Sequence, residues 1–148
     1  MDTVNFVRAD EQLLPAMPGP LTIDASPVVG HWINTNMSNP GIARVSVSSR
    51  DGHLTLHVFA ASGPTPRDWG ETDVEVVYAN AVAAQAATAF VATYDFGYLE
   101  TRVEANLSLG LLVVATFNTF RDGSGRFNFF AREFFYRSED ASRQDTDQ

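Results

Sequence analysis

The chain has 148 residues and a formal charge of −8, from 10 basic and 18 acidic side chains. This length predicts one domain with a single core. Every basic residue except histidine is arginine, and there is no cysteine. Schiff-base lysines, thiol nucleophiles, thiolate metal sites and disulfides are therefore excluded. An acidic chain without a basic stripe neutralises few phosphates, so we expect no nucleic-acid partner.

The two ends of the chain are polar and acidic. We predict an N-terminal arm over residues 1–27, a β-barrel domain over 28–138 and a disordered acidic tail over 139–148. The N-terminus has no basic segment ahead of an apolar stretch, as a secretory signal would. No apolar run reaches the roughly 18 residues that a membrane span needs. A cytoplasmic protein without a membrane partner is expected.

From residue 28 onward, turn residues separate short segments rich in Val, Thr, Phe and Tyr. Short strands spaced by about 8–12 residues are typical of all-β barrels and sandwiches. Consecutive hairpins without a long crossover favour a single up-and-down antiparallel barrel over a sandwich. The eight predicted strands cover residues 28–35, 42–49, 53–61, 72–79, 88–95, 98–107, 110–120 and 127–137.

The hairpin turns predict which side chains face the interior. Turns are expected at 122–125, at Ser108-Leu109 and at Phe96-Gly97. Because side chains alternate along a strand, each turn fixes the inward residues of the two strands that it joins. All three turns give the same interior face. That face is mainly apolar, and its polar members are Tyr94, Thr101, Thr116, Asn118 and Glu133.

The first strand contains Gly30-His31-Trp32, and Arg137 lies near the end of the last strand. This pattern resembles the calycin superfamily of lipocalins, fatty-acid-binding proteins and avidins. The resemblance implies that the tryptophan plugs one end of the barrel and that the arginine stacks over it, a contact that gains cation–π energy when shielded from water. Trp69 is the only other tryptophan, so the aromatic box of a biotin site is not reproduced and biotin is not expected.

Glu133 is the main candidate for catalysis. It is expected to face inward between Phe129 and Phe135. Burial among aromatic rings raises the pKa of a carboxyl group and can equip it for proton transfer, with Tyr94 as a second proton-handling group. Two alternatives remain open. Glu133 could form an ion pair with Arg137, or a one-residue slip could place Arg132 inside instead.

A few polar groups in an otherwise apolar cavity are typical of a small-molecule site. The alternative for each of them is a hydrogen bond within the barrel wall. Trp69 lies in a predicted loop over 62–71, where it could stack on a ligand or pack against the rim. The predicted ligand-binding residues are Trp32, Asn34, Trp69, Tyr78, Phe90, Thr101, Thr116, Asn118, Phe129, Phe135 and Arg137.

The last two predicted strands are apolar on both faces. An exposed aromatic face of this size favours association, so we expect residues 13–23 or a second subunit to cover it. A homodimer through this face is the expected assembly. The side chains predicted to face outward are Leu111, Val113, Ala115, Phe117, Phe130, Phe134 and Tyr136.

Three functions are compatible with these features. The resemblance extends to allene-oxide-cyclase-like barrels, which implies a cofactor-independent natural-product cyclase or isomerase that folds a flexible polyketide- or lipid-like substrate in its cavity. The second is a passive carrier of a hydrophobic small molecule, and the third is an interaction module with a filled core. No cofactor or metal is expected, because the three histidines lack suitably spaced carboxylates.

Overall fold

The structure is a computed structural model, and it describes residues 23–38 and 40–139. All nine elements in these ranges are strands. They are β1 (Gly30–Asn34), β2 (Ile42–Arg50), β3 (His53–Ala60), β4 (Asp68–Asp73), β5 (Val76–Ala79), β6 (Ala87–Asp95), β7 (Leu99–Ser108), β8 (Leu111–Phe120) and β9 (Phe129–Arg137).

The nine strands form one antiparallel sheet in the order β4-β3-β2-β1-β9-β8-β7-β6-β5. The first and last strands in the chain are neighbours, with Trp32 opposite Arg137 and Asn34 opposite Phe135. The sheet is curled into a half-barrel whose concave side holds the core. The predicted all-β antiparallel architecture is confirmed at this level.

The described residues form nine strands where eight were expected. The segment over 72–79, predicted as one strand, is divided into β4, which pairs with β3, and β5, which pairs with β6. The Val74 amide donates to the Leu54 carbonyl on β3 (3.0 Å), and the next amide, Glu75, donates to Val91 on β6 (2.8 Å). The chain thus passes from one edge of the sheet to the other at these two residues. Residue alternation does not reveal a change of partner strand, so the division was missed.

The first of these strands, β4, also begins earlier than expected. Asp68 lies opposite Phe59 of β3, and the Ala60 amide donates to the Arg67 carbonyl at 2.7 Å. These contacts extend the β3–β4 hairpin into the predicted loop over 62–71. Trp69 therefore lies on a strand and not in a loop.

The register predicted for the last hairpin is confirmed, with Asn118 opposite Phe129 and Val114 opposite Glu133. The preceding turn lies one residue later than predicted, at Leu109-Gly110, where φ is 53° and 82°. Positive φ at both central residues is typical of a type I′ hairpin turn. The shift moves the pairing by two residues, so the inward-facing set is unchanged.

The core consists of alternate residues from nearly every strand. Burial of each large apolar side chain stabilises the fold by about 1.5–3 kcal/mol. Polar residues buried beside them are paired: the Thr101 hydroxyl donates to Asn118 Oδ1 (2.8 Å), and Asn118 Nδ2 donates to Thr116 Oγ1 (3.2 Å). The largest fully buried side chains include Trp32, Phe90, Phe135, Leu56, Leu99 and Leu112.

The two predicted chain ends are only partly covered by the structure. Residues 1–22 of the predicted arm, residues 140–148 of the predicted tail, and Asn39 lie outside the described residues. The described segment begins beside the β5–β6 connection, where Asp24 forms a parallel bridge with Ala86. Within the described part of the chain, no helix has the length and apolar character required to cross a bilayer.

Candidate functional site

One end of the curled sheet is filled by Trp32. Its side chain is 2% exposed, and its indole N–H donates to the Val28 carbonyl at 3.0 Å. The guanidinium carbon of Arg137 lies 4.7 Å from the centre of the ring, and the same guanidinium donates to the Pro27 carbonyl. Gly30 has a φ of 145°, and a Cβ there would lie 3.4 Å from Arg137 Nε. Glycine therefore permits the close passage of the arginine that the resemblance implies.

The opposite end carries Glu133, which projects inward from β9. Its Oε1 accepts hydrogen bonds from Asn34 Nδ2 (2.7 Å) and the Gly41 amide (3.0 Å). Its Oε2 accepts one from the Ile42 amide (3.2 Å). A carboxylate only accepts hydrogen bonds, so three N–H donors suit its ionised form. Glu133 thus joins β9 to the start of β2.

Neither structural alternative considered for Glu133 is present. Arg137 contacts Trp32 at the other end. Arg132 lies on the outer face, 5.6 Å from the ring centre of Phe134, so the register has not slipped. The sequence identified the inward carboxyl group, whereas its partners are an amide side chain and two backbone N–H groups.

Asn34 determines where the chain returns after β1. Its Nδ2 donates both to Glu133 and to the Ile42 carbonyl (2.7 Å), while its Oδ1 accepts from the Asn36 amide (2.7 Å). Gly41 lies close to the same carboxylate, because a Cβ on Gly41 would be 3.1 Å from Glu133 Oε2. A side chain at residue 41 would push against the carboxylate. A glycine after Pro40 therefore allows the two amides to approach it.

A cavity of about 100 Å³ opens beside Glu133. For comparison, a cavity of about 150 Å³ holds benzene, and most ligand pockets span roughly 300–1,000 Å³. The cavity is therefore smaller than one that encloses a whole benzene ring, and it fits a small group or one end of a larger molecule. Its lining residues are Gly41, Ile42, Ser62, Gly63, Pro64, Thr65, Trp69, Thr116, Asn118, Phe129, Ala131 and Glu133.

Trp69 forms part of the cavity wall and packs edge-on against two aromatic rings. The ring centroids lie 5.0 Å from Tyr94 and 5.4 Å from Phe96, both in T-shaped geometry. Its indole N–H is buried and has no hydrogen-bond partner among the described residues. A buried donor without an acceptor costs about 1–3 kcal/mol. The end of the sheet that carries Glu133 and Trp69, here called the open end, therefore contains an unsatisfied polar group, whereas the indole N–H of Trp32 at the other end is bonded.

Tyr94 is held within the wall. Its hydroxyl lies 3.0 Å from the Leu56 carbonyl and 2.8 Å from the Gly70 carbonyl, both of which are acceptors. Burial raises the pKa of Tyr94 above its usual value. Tyr94 does not line the cavity next to Glu133. The hydroxyl is therefore occupied in joining β6 to β3 and β4.

The other predicted site residues fall into three groups. Tyr78 is 48% exposed on β5, where it lies opposite Ala89, because its neighbour Val77 is the residue that pairs with the inward Phe90. The structure thus corrects its expected inward orientation. Buried in the core but not part of the cavity lining are Trp32, Phe90, Thr101 and Phe135. Lining the cavity with Glu133 are Trp69, Thr116, Asn118 and Phe129.

The backbone contributes to the site in a way that was not predicted from the residue types. The amides of Gly41 and Ile42 bind the carboxylate, and the segment 62–65 forms part of the cavity wall. A backbone amide carries no residue-type signal. The turn residues Pro40-Gly41 were the one local indication that the chain bends at this point.

A scan against protein-family models and searches of curated proteins and of solved structures gave no match. The described residues also contain no group of three or more His, Asp or Glu side chains placed to hold a metal ion.

Proposed function

We propose that this protein binds a small, largely apolar molecule in the cavity beside Glu133. The observation that carries the proposal is the composition of the cavity wall. One carboxylate and the side chains of Thr116 and Asn118 meet the apolar surfaces of Trp69 and Phe129 there. A few convergent polar groups within an apolar, concave wall are typical of small-molecule sites.

The scaffold for this function is a closed calycin-like barrel. Only Val74 and Glu75 separate β4 from β5. Val74 bonds to β3 and Glu75 bonds to β6, the strands next to the two edges of the sheet. If β4 and β5 act as one bent strand, they join these edges and give an eight-stranded barrel. The contact between Trp32 and Arg137 supports the calycin-like assignment.

Binding without chemistry is the activity best supported by the hydrogen bonds. Glu133 accepts three N–H donors from the protein itself, and the Tyr94 hydroxyl is engaged by wall carbonyls. Neither group is arranged as an uncommitted acid or base. A carrier of a hydrophobic small molecule therefore ranks ahead of the expected cyclase.

The cofactor-independent cyclase or isomerase remains the second candidate, because Glu133 lines the cavity and its Oε2 accepts one hydrogen bond from the described part of the chain. That oxygen has capacity to take a proton from a bound substrate. The test is conversion of a candidate polyketide- or lipid-like substrate by Glu133→Gln. Conversion at an undiminished rate would exclude Glu133 as the acid–base group.

The binding proposal is tested by filling the cavity. Ala131 lines it, whereas Ala89 lies on the outer face of β6 opposite Tyr78. We expect Ala131→Leu to abolish binding of benzyl alcohol, while Ala89→Leu leaves it unchanged. Binding is followed by the indole N–H signal of Trp69 in two-dimensional NMR spectra, with the Trp32 indole as internal reference. Unchanged binding by Ala131→Leu would place the site elsewhere.

A further inference from the structure

The cavity beside Glu133 is lined by negative charge, and no described lining residue balances it with a positive charge. Among the described residues that line it, Glu133 is the single charged side chain, and no arginine or histidine joins it. In the described part of the chain, no cationic side chain forms an ion pair with Glu133. The negative charge is held by N–H dipoles alone. The cavity therefore presents a net negative charge to a ligand.

The carboxylate also has room for one more donor. Oε1 accepts two hydrogen bonds and Oε2 accepts one, and a carboxylate oxygen can accept two. Asn118 offers little in comparison, because its Oδ1 accepts from Thr101 and its Nδ2 is close to Thr116 Oγ1 and the Phe129 carbonyl. The polar end of a ligand is therefore best received at Glu133 Oε2.

The apolar part of the cavity wall also favours a positively charged ligand. Trp69 and Phe129 bring aromatic rings to the cavity. The faces of aromatic rings attract cations, and the attraction increases when water is excluded. A protonated amine thus gains from the carboxylate and from the rings, whereas a carboxylate ligand is repelled by Glu133.

We propose, on the basis of the proposed binding function, that the cavity selects small apolar molecules carrying a protonated amine and rejects the corresponding carboxylates. This narrows the class of hydrophobic ligand from lipid-like molecules in general to amines. A fatty-acid type of ligand, in which the polar end is an anion, does not fit this charge.

Three probes of one ring size test the selection: benzylammonium, benzyl alcohol and benzoate, titrated at pH 7 while the Trp69 and Trp32 indole signals are followed. We expect benzylammonium to bind about tenfold more tightly than benzyl alcohol, equivalent to about 1.4 kcal/mol, with benzoate weakest. Raising the salt concentration should reduce the advantage of the amine. Benzoate binding as tightly as benzylammonium would overturn the selection while leaving the binding function intact.

Absence of binding by all three probes would instead count against the binding function. Glu133→Gln preserves the size of the side chain and should reduce the amine's advantage to less than twofold. Because this variant also changes the contact with the Ile42 amide, the salt series on the unaltered protein provides an independent measurement. A salt-independent amine preference would overturn the role of Glu133.

The convex side of β7, β8 and β9, here called the aromatic outer face, exposes several aromatic side chains. It carries Phe117, Phe130, Phe134 and Tyr136, each between 39 and 55% exposed. Exposed aromatic side chains together with arginine are typical of protein interfaces. Arg132 lies among them with no acidic partner in the described ranges.

The register of the three strands makes this face complementary to itself. Glu104 lies opposite Ala115, which lies opposite Arg132, so acid and base are placed symmetrically about β8. In the adjacent row, Arg102 and Phe130 are symmetric about Phe117 in the same way. A two-fold axis parallel to the strands and above β8 would bring each arginine over the matching residue of a second copy.

We infer that two copies of this chain pack through the aromatic outer face, with Arg132 of one copy against the partner's Glu104. A two-fold interface joins the same patch on both subunits, so one contact pair occurs twice. The small Ala115 side chain at the centre allows the two sheets to approach.

Charge reversal tests this assembly by sedimentation equilibrium. We expect the unaltered protein to be a dimer, and Arg132→Glu and Glu104→Arg each to weaken dimerisation by at least tenfold. The double variant should restore it. Arg50→Glu, at the end of β2, is the matched control and should have no effect. A monomer at all concentrations, or a dimer insensitive to both single reversals, would overturn the inference.

Discussion

The two ends of the curled sheet each contain one tryptophan, and the two indoles are held differently. At the closed end, Trp32 donates its N–H to the Val28 carbonyl and is covered by Arg137. At the open end, Trp69 packs edge-on against Tyr94, and its buried N–H has no acceptor within residues 23–38 and 40–139. A cavity lies beside Trp69 and Glu133.

This difference separates a structural end from an end able to bind. Where every polar atom has a partner, a ligand can add no hydrogen bond without breaking another. Where acceptor capacity remains, as at Glu133 Oε2, a ligand can add one at little cost. Hydrogen bonding thus distinguishes the two ends better than their similar aromatic content.

The largest expected effect is the loss of stability when the tryptophan that fills the closed end is removed. Trp32→Ala removes a fully buried ring and should reduce the free energy of unfolding by about 3–5 kcal/mol. Trp69→Ala removes a partly exposed ring and should cost less. Urea unfolding of both variants measures the difference. Equal losses would show that the open end is as tightly packed as the closed one.

A smaller loss of stability is expected when the Glu133 side chain is removed. Glu133→Ala leaves the Gly41 and Ile42 amides without their acceptor, and Asn34 Nδ2 keeps only the Ile42 carbonyl, at a cost of about 2–3 kcal/mol. Amide exchange at Gly41 and Ile42 should accelerate in the same variant. Asp73→Ala is the control, because the contact of its exposed carboxylate with His53 contributes less than about 1 kcal/mol. Equal costs in the two variants would contradict the structural role of Glu133.

The two indole N–H groups can be compared directly by replacement with phenylalanine. Trp32→Phe loses a buried hydrogen bond and part of the arginine stack, so stability should fall by about 1–2 kcal/mol. Trp69→Phe removes an unsatisfied donor and should change stability by less than about 1 kcal/mol. Thermal unfolding distinguishes them. A larger loss from Trp69→Phe would show that its N–H has a partner after all.

The comparison also shows what could be predicted from residue order. The inward set was predictable because alternation survives a two-residue shift, as at Leu109-Gly110. The contact of Trp32 with Arg137 was implied by the family resemblance of a short pattern at the two ends of the domain. The amides that hold Glu133 were not predictable, because every residue except proline carries one. The orientation of Tyr78 depended on the change of partner strand at Val74 and Glu75, after which Val77 and not Tyr78 pairs with the inward Phe90.

The smallest expected effect concerns the connection between β8 and β9. Hydrogen bonds from the Ser124 hydroxyl and amide, and then from Arg126, lower the pKa of Asp122 from 3.8 to about 2. A carboxyl group with a depressed pKa stabilises the folded state above its unfolded value, and this contribution is lost as the pH falls through the folded value. Asp122→Asn should therefore be slightly less stable than the unaltered protein at pH 7, and the difference should shrink between about pH 4 and pH 2. Urea midpoints of the two proteins at pH 7 and at pH 2 test this. A difference that persists at pH 2 would assign the effect to the shape of the turn and not to the charge, since an asparagine oxygen can still accept from the Ser124 amide.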